Sequence, residues 1–360
     1  MRLRGALFII AILALAVAGA AFAFQRPIGE ALFARTAQRA VGVDRAAALP
    51  DGLHVYLCGT GSPFPDPTRA GPCVGVLAGE RAFIIDAGSG SMRVLARMGF
   101  PLQRLERVYL THLHSDHIDG LGEAMLQAWI GGARAAPLPI AGPAGTAEVV
   151  AGFNQVYRID SAYRVGHHGA AIANPDGYGA TAEEIVVPEG ASRVVVVRDG
   201  DLTITAILVG HAPVAPAFGY RIDYKGRSLA VSGDTIRADA FIAAAEGVDV
   251  MLHDALNPRL VAAMGSAAAA NGQANLAQVM TDIQDYHASP EDAARVAESA
   301  GARALVLTHI VPPLPLPFLH AAFLGDARAL YGGDLRVGAD GVLISMPADS
   351  ATITFSQALR

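Results

Sequence analysis

Ten positions, THLHSDHIDG from Thr111 to Gly120, hold three histidines and two aspartates in a chain of 360 residues of which only 17% are charged. Imidazole and carboxylate are the side chains that hold zinc and similar first-row cations. His112 and His114 are separated by one residue and come after the apolar run RVYL. On extended backbone, residues i and i+2 project to the same side, so both rings can address one cation; on a helix they would diverge. Asp116 and His117 come where the chain turns toward the next helix, and Gly120 relieves crowding there. A solvated histidine-rich turn would account for the decapeptide alone. It does not account for the residues downstream of it: His211 in VGHAP, Asp234 in SGDT, His253 and Asp254 in LHDA, and His309 in LTHI. Each stands where an apolar run meets a turn, the place where ligands gather in layered α/β folds.

The elements that must position these residues are legible as punctuated apolar runs. LHVYLC, CVGVL and AFIID read as strands ended by glycine and proline. A helix is expected near 91–98, a second near 119–130 and a third over 145–165. Next comes a strand-rich half (EEIVV, SRVVVVRDG, LTITAILV, FGYRIDY, RSLAVSGDT), and then helices alternate with the buried strands VDVMLH and RALVLTH. The alanine-rich stretch from Leu256 to Tyr286 is helical by pattern and could form a lid. Two β-rich halves with helices imply an α/β (α+β) fold of facing sheets covered on the outside by helices.

In order along the chain, HLHSDH, GHAPVAPAFGYRI, SGDT, LHDA and LTH resemble the metallo-β-lactamase-fold hydrolases, within them the ribonuclease Z and arylsulfatase-like branch. CGTGSPFPDP and FIIDAGSG fit the opening strands of that family, so the resemblance covers about residues 51–347. It implies a four-layer αβ/βα sandwich with two zinc ions per chain at one edge, manganese or iron being alternatives. Carried over by motif, His112, His114 and His211 would bind the first ion, Asp116, His117 and His309 the second, and Asp234 would bridge them. Such a pair lowers the pKa of a water and neutralises the oxygens of an anionic ester. Asp116 is expected to orient the attacking group. His253, beside Asp254, matches the family's histidine–acid pair and is expected to protonate the leaving oxygen; a supporting role behind the metal ligands is the alternative. His287 in YHASPEDAA matches a further family histidine. His167 and His168 in YRVGHHG could touch substrate from an inserted segment, whereas His54 and His320 carry no site expectation. All seven matched ligand positions are filled, which disfavours a non-catalytic relative.

Outside that domain, residues 1–24 combine Arg2 and Arg4 with the uncharged run Gly5–Phe24 and a small-x-small ending at Ala21-Phe22-Ala23. This describes a secretory signal peptide or an uncleaved anchor, and so a periplasmic or extracellular protein whose only membrane contact is this segment. Residues 25–50 are expected to connect it to the domain, and residues 348–360 to form a tail. Cys58 and Cys73 could pair in an oxidising compartment or stay as buried thiols. Net charge is −6 and Lys225 is the only lysine, so no lysine-rich arm for RNA is present. With the apolar segment HIVPPLPLPFLH after His309, this favours a small sulfate or phosphodiester ester as substrate, with nucleic acid an unlikely partner. A ribonuclease Z-type endonuclease and a lactonase or β-lactamase-like hydrolase are the alternatives. A homodimer stays open.

Overall fold

The computed structural model describes residues 2–359. Met1 of the expected N-terminal segment and Arg360 of the expected tail lie outside the described residues. The chain divides into two units, Met1–Arg45 and Ala46–Arg360. In the first, α1 (Arg2–Ala23) contains the stretch Gly5–Ala23, 19 residues long and apolar enough to cross a membrane. At about 1.5 Å rise per residue, that length matches a hydrocarbon layer of roughly 30 Å. α2 (Gln25–Ala40) comes next, where only a connecting stretch is expected. Its alanine, glutamine, arginine and glutamate residues are good helix formers, and Pro27 falls near the start, where its missing N–H costs nothing.

In the second unit the strands come in two runs. β1 (Gly52–Gly59), β2 (Cys73–Ala78), β3 (Arg81–Ile85), β4 (Leu105–Tyr109), β5 (Leu138–Gly142) and β6 (Ala180–Glu184) build one sheet. β7 (Arg193–Asp199), β8 (Leu202–His211), β9 (Val214–Tyr224), β10 (Arg227–Val231), β11 (Val250–Leu256), β12 (Ala304–Val311) and β13 (Asp334–Val337) build the other. β14 (Val342–Pro347) and β15 (Thr354–Gln357) return to the first sheet, in the order β15-β14-β1-β2-β3-β4-β5-β6. The expected tail therefore ends in a strand paired to β14. Cys58 and Cys73, at the facing ends of β1 and β2, form a disulfide.

Side-chain alternation along the strands makes three cores from two sheets. Leu53, Val55 and Phe83 meet Ile204, Phe218, Tyr220 and Leu252 between the sheets. On the outside of the first sheet, Tyr56, Ile84 and Val108 pack on Met92 and Leu95 of α3 (Ser91–Met98), together with Leu121 and Met125. Those two belong to α5 (Leu121–Leu126), which comes after β4 and the short α4 (Ser115–Ile118). α6 (Thr146–His168) supplies Val150 to the same core. On the outside of the second sheet, Ala230, Met251 and Leu305 pack on Phe241 of α7 (Asp239–Ala244). α8 (Pro258–Ala270) and α9 (Ala274–Asp282) occupy the stretch expected to be helical, and α10 (Pro290–Ala300) adds Ala293, Val296 and Ala297 to this third core. The order helix, sheet, sheet, helix is the expected four-layer sandwich.

Strand direction decides where the chemistry collects. β8 to β9 and β9 to β10 are antiparallel, whereas β10, β11 and β12 are parallel. The C-terminal ends of β8, β10, β11 and β12 therefore share one edge of the second sheet. The loop 59–72 between β1 and β2 is held by the buried Asp340, which accepts from Thr60 N at 2.9 Å, Thr60 Oγ1 at 2.8 Å and Ala70 N at 2.6 Å. Arg69, its side chain 5% exposed, donates to Thr60 Oγ1 and to the Gly338 carbonyl. Asp340→Ala strands these donors and removes one of the two acids near the buried Arg69 guanidinium, leaving Asp66 at 3.8 Å. We expect a loss of about 3 kcal/mol or more in unfolding free energy, read as an earlier urea midpoint. A loss below about 1 kcal/mol, the range of an exposed ion pair, would show that the cluster does not hold the loop.

Candidate metal centre

Each of three imidazoles in the centre has one nitrogen fixed by the protein and the other turned inward. His117 Nδ1 lies 2.8 Å from Asp86 Oδ2, and His112 Nδ1 lies 3.1 Å from the Thr111 hydroxyl. His211 Nδ1 lies 3.0 Å from the Tyr286 carbonyl. Asp86, at the end of β3 with φ of 56°, also accepts from Thr111 N and Oγ1, both at 2.8 Å. A short polar side chain tolerates that left-handed backbone. This row of partners fixes ring orientation and tautomer, as behind metal-binding histidines generally.

The inward atoms form two clusters and a third group, Asp234, His287 and His309, that overlaps both. His112, His114, His211 and Asp234 present ligand atoms within 4.8 Å of one another, and so do Asp116, His117 and His309. His114 is exposed, its side chain only partly buried. Asp234 Oδ2 stands between the clusters, 3.8 Å from His112 Nε2, 3.3 Å from His117 Nε2 and 3.2 Å from His309 Nε2. His309 reaches this position from a bulge: Thr308 pairs with Asp254 and Ile310 with Ala255, leaving His309 out of the ladder at φ 46°.

Electrostatics track the crowding. Burial pushes the His112 imidazole well below its ordinary pKa, and His117 beside it adds to the effect. Burial alone would raise Asp234, yet His309 and His117 hold its carboxyl well below the usual carboxylate range. Burial opposes protonation of His117, but Asp234 and Asp86 carry its pKa well above the ordinary value. The inward Nε2 atoms of His112 and His117 are buried with no hydrogen-bond partner. Buried imidazole nitrogens normally find one, and a divalent cation is the partner that a set of nitrogens and carboxylate oxygens suits. The residues present fit a metal.

His253 and His287 both contact Asp254, one through each carboxylate oxygen. Alternation along β11 sends Met251 and His253 to the outer face, where His253 is fully buried 5.8 Å from the Phe241 ring. Asp254 faces the centre and takes His287 Nδ1 on Oδ2 at 3.1 Å. The His287 ring stacks on His309 at 5.1 Å between centroids, and its Nδ1 lies 4.0 Å from Asp234 Oδ2. His167 and His168 end α6, exposed and in ring contact with each other. Asp86, Thr111 and Tyr286 are partners that sequence reading misses. Asp86 carries a signal, since each buried metal-binding histidine needs an acceptor and FIIDAGSG places an acid at a strand end.

A family profile described as "Beta-lactamase superfamily domain" matches residues 81–310. Ribonuclease Z of Mycobacterium bovis (strain BCG / Pasteur 1173P2) is 37% identical over 290 residues, covering 80% of this chain and 96% of its own length. Ribonuclease Z of Mycobacterium avium (strain 104) is 38% identical over 264 residues, covering 73% and 87%. The human tRNase Z, short form, superposes with a TM-score of 0.58 at 19% identity, over 82% of this chain and 99% of its own. A metallo-beta-lactamase fold protein of Bacillus subtilis gives 0.58 at 20%, over 81% and 99%. Relatives that are ribonucleases by name overturn the expected arylsulfatase-like action on a small sulfate or phosphodiester ester, and with it the expectation that nucleic acid is an unlikely partner; they favour the ribonuclease Z-type alternative. A missing lysine-rich arm does not exclude RNA, because arginines, backbone N–H groups and a metal centre also hold phosphates. The chain is a metal-dependent hydrolase of ester bonds, and it belongs to the β-lactamase superfamily, in the branch that includes ribonuclease Z.

Proposed function

We propose that this chain is a ribonuclease Z-type endonuclease, cutting an RNA phosphodiester at a centre of two zinc ions. The observation that carries the reading is the 37% identity to a ribonuclease Z over 96% of that enzyme's length. The clustering of all seven matched metal-type residues at one sandwich edge supports it. His112, His114 and His211 would hold one ion, Asp116, His117 and His309 the other, with Asp234 shared. When bound, such a pair supplies charge to the phosphate oxygens and a water of lowered pKa.

The chain's own groups have separable tasks. Asp116, whose carboxylate lies 3.3 Å from His309 Nε2, is placed to orient the attacking water and hold its proton. His287 has Nδ1 tied to Asp254, which leaves Nε2 to give a proton to the leaving ribose oxygen. His253 supports this pair from behind, its Nδ1 3.1 Å from Asp254 Oδ1. α8 and α9 come directly after β11, the strand that carries Asp254, and we assign them the role of a lid.

The hydrolase domain is proposed to span residues 51–347 and to work outside the reducing cytosol, anchored or released by the segment before it. The apolar helix Gly5–Ala23 supports export, and so does a disulfide, which persists in oxidising compartments. Thiol labelling of the chain recovered from unlysed cells under non-reducing conditions should find Cys58 and Cys73 blocked, and two free thiols would oppose export.

Incubated with a precursor tRNA bearing a 3′ trailer, the purified chain should cut the trailer, lose that activity on chelation and regain it with zinc. A metal-loaded chain that leaves every RNA intact would sink the proposal. His287→Ala should slow cleavage by about 10²–10⁴-fold, the range of a general acid, with bound metal unchanged. His253→Ala should instead lower stability by about 2–4 kcal/mol, as loss of a large buried side chain does, with a smaller effect on rate. The opposite pattern would return the proton donor to His253.

A further inference from the structure

The Cys58–Cys73 bridge lies under the metal centre. Cys73, Gly59 and Pro72 line the same cavity of about 30 Å³ as His117, Asp234 and His309. The loop that the bridge closes touches one of the two clusters through its backbone at both ends. At its start, the Thr60 carbonyl accepts from Ile310 N at 3.0 Å, next to His309 in its bulge. At its end, Gly71 N donates to the Ser89 carbonyl at 2.9 Å, and the Pro72 carbonyl accepts from Gly88 N at 2.9 Å. Ala87 N, one residue before Gly88, donates to the His117 carbonyl at 2.8 Å. A Cβ on Gly71 would stand 3.0 Å from the Asp116 carbonyl oxygen, and one on Gly88 only 2.4 Å from it. No side chain fits between this loop and the backbone of Asp116. His112 and His211 are fixed by other means, the Thr111 hydroxyl and the Tyr286 carbonyl.

We propose that the Cys58–Cys73 disulfide positions the cluster of Asp116, His117 and His309, so that the oxidised chain holds its second cation and the bridge-opened chain holds it poorly. The inference rests on the two-metal reading of the centre. A closed loop of this size limits the motion of both its ends. Opening it frees the two backbone segments against which Asp116 and His309 are set, while β4 and β8 still present His112 and His211. Metal loading is then graded by redox poise: full in an oxidising compartment, partial in a reducing one.

Cobalt(II) titration of the full chain tests this, with visible absorption reporting each ion and circular dichroism reporting the fold. Oxidised wild type should take up two ions. The Cys58→Ala/Cys73→Ala double variant should bind the first with unchanged affinity and spectrum. It should bind the second about 10–100-fold more weakly, the loss expected when a supporting contact of a metal ligand is removed. Two ions bound by the variant with wild-type affinities and spectrum would overturn the proposal. If the double variant does not fold, wild type opened with a phosphine and capped at both thiols is titrated instead. Loss of fold there as well would overturn it too, since the bridge would then hold the whole domain. Fewer than two ions on the oxidised wild type would contradict the two-metal reading itself and remove the basis of the inference.

Discussion

One buried carboxylate organises this molecule. Asp234, its side chain 3% exposed, has imidazole nitrogens of His309, His117, His112 and His287 at 3.2, 3.3, 3.8 and 4.0 Å. Gathering one acid and four imidazoles at a dry edge is costly unless their charges and lone pairs are matched. A pair of divalent cations matches them, since carboxylate and neutral imidazole are both ligands. The parallel run β10-β11-β12 and the bulge at His309 deliver those side chains to one point. Were the strands differently directed, the same residues would be scattered over two edges.

A second row of residues keeps the first in place. Asp86 ties His117 and Thr111 together, the Tyr286 carbonyl turns His211, and Asp254 holds His287. Asp340 and Arg69 then hold the loop whose ends set the backbone of Asp116 and His309. These layers of residues come from segments far apart in sequence, so the centre exists only when both sheets are docked. Its metal affinity and the stability of the docked sheets are thereby linked: a cation that binds only the folded chain stabilises it.

The metal-type residues are legible in the sequence because their chemistry is rare and their spacing is tied to strand geometry. His112 and His114 at i and i+2, and Asp234 and His309 at strand ends, need no tertiary information. The sandwich is implied by alternating apolar runs of the right length. The direction of His253 is not legible for a physical reason: which of two adjacent residues on a buried strand faces the centre depends on register, and β11 is buried on both faces. Asp254 is the one that faces the centre, and it holds His287. The helix Gln25–Ala40 escapes notice because its pattern is not amphipathic and only propensity marks it. The substrate is misread when an absent lysine arm is weighed more heavily than the match of motifs.

A ribonuclease Z-like domain, the apolar helix Gly5–Ala23 and a disulfide occur in one chain. Everything proposed for the chain depends on the metal centre being one two-ion site built from both sheets. The most direct measurement is a crystal structure of the zinc-loaded chain with anomalous scattering recorded at the zinc edge. Two peaks are predicted, one among His112, His114 and His211, the other among Asp116, His117 and His309, with Asp234 touching both. A single peak, or zinc bound away from Asp234, would contradict the two-ion centre.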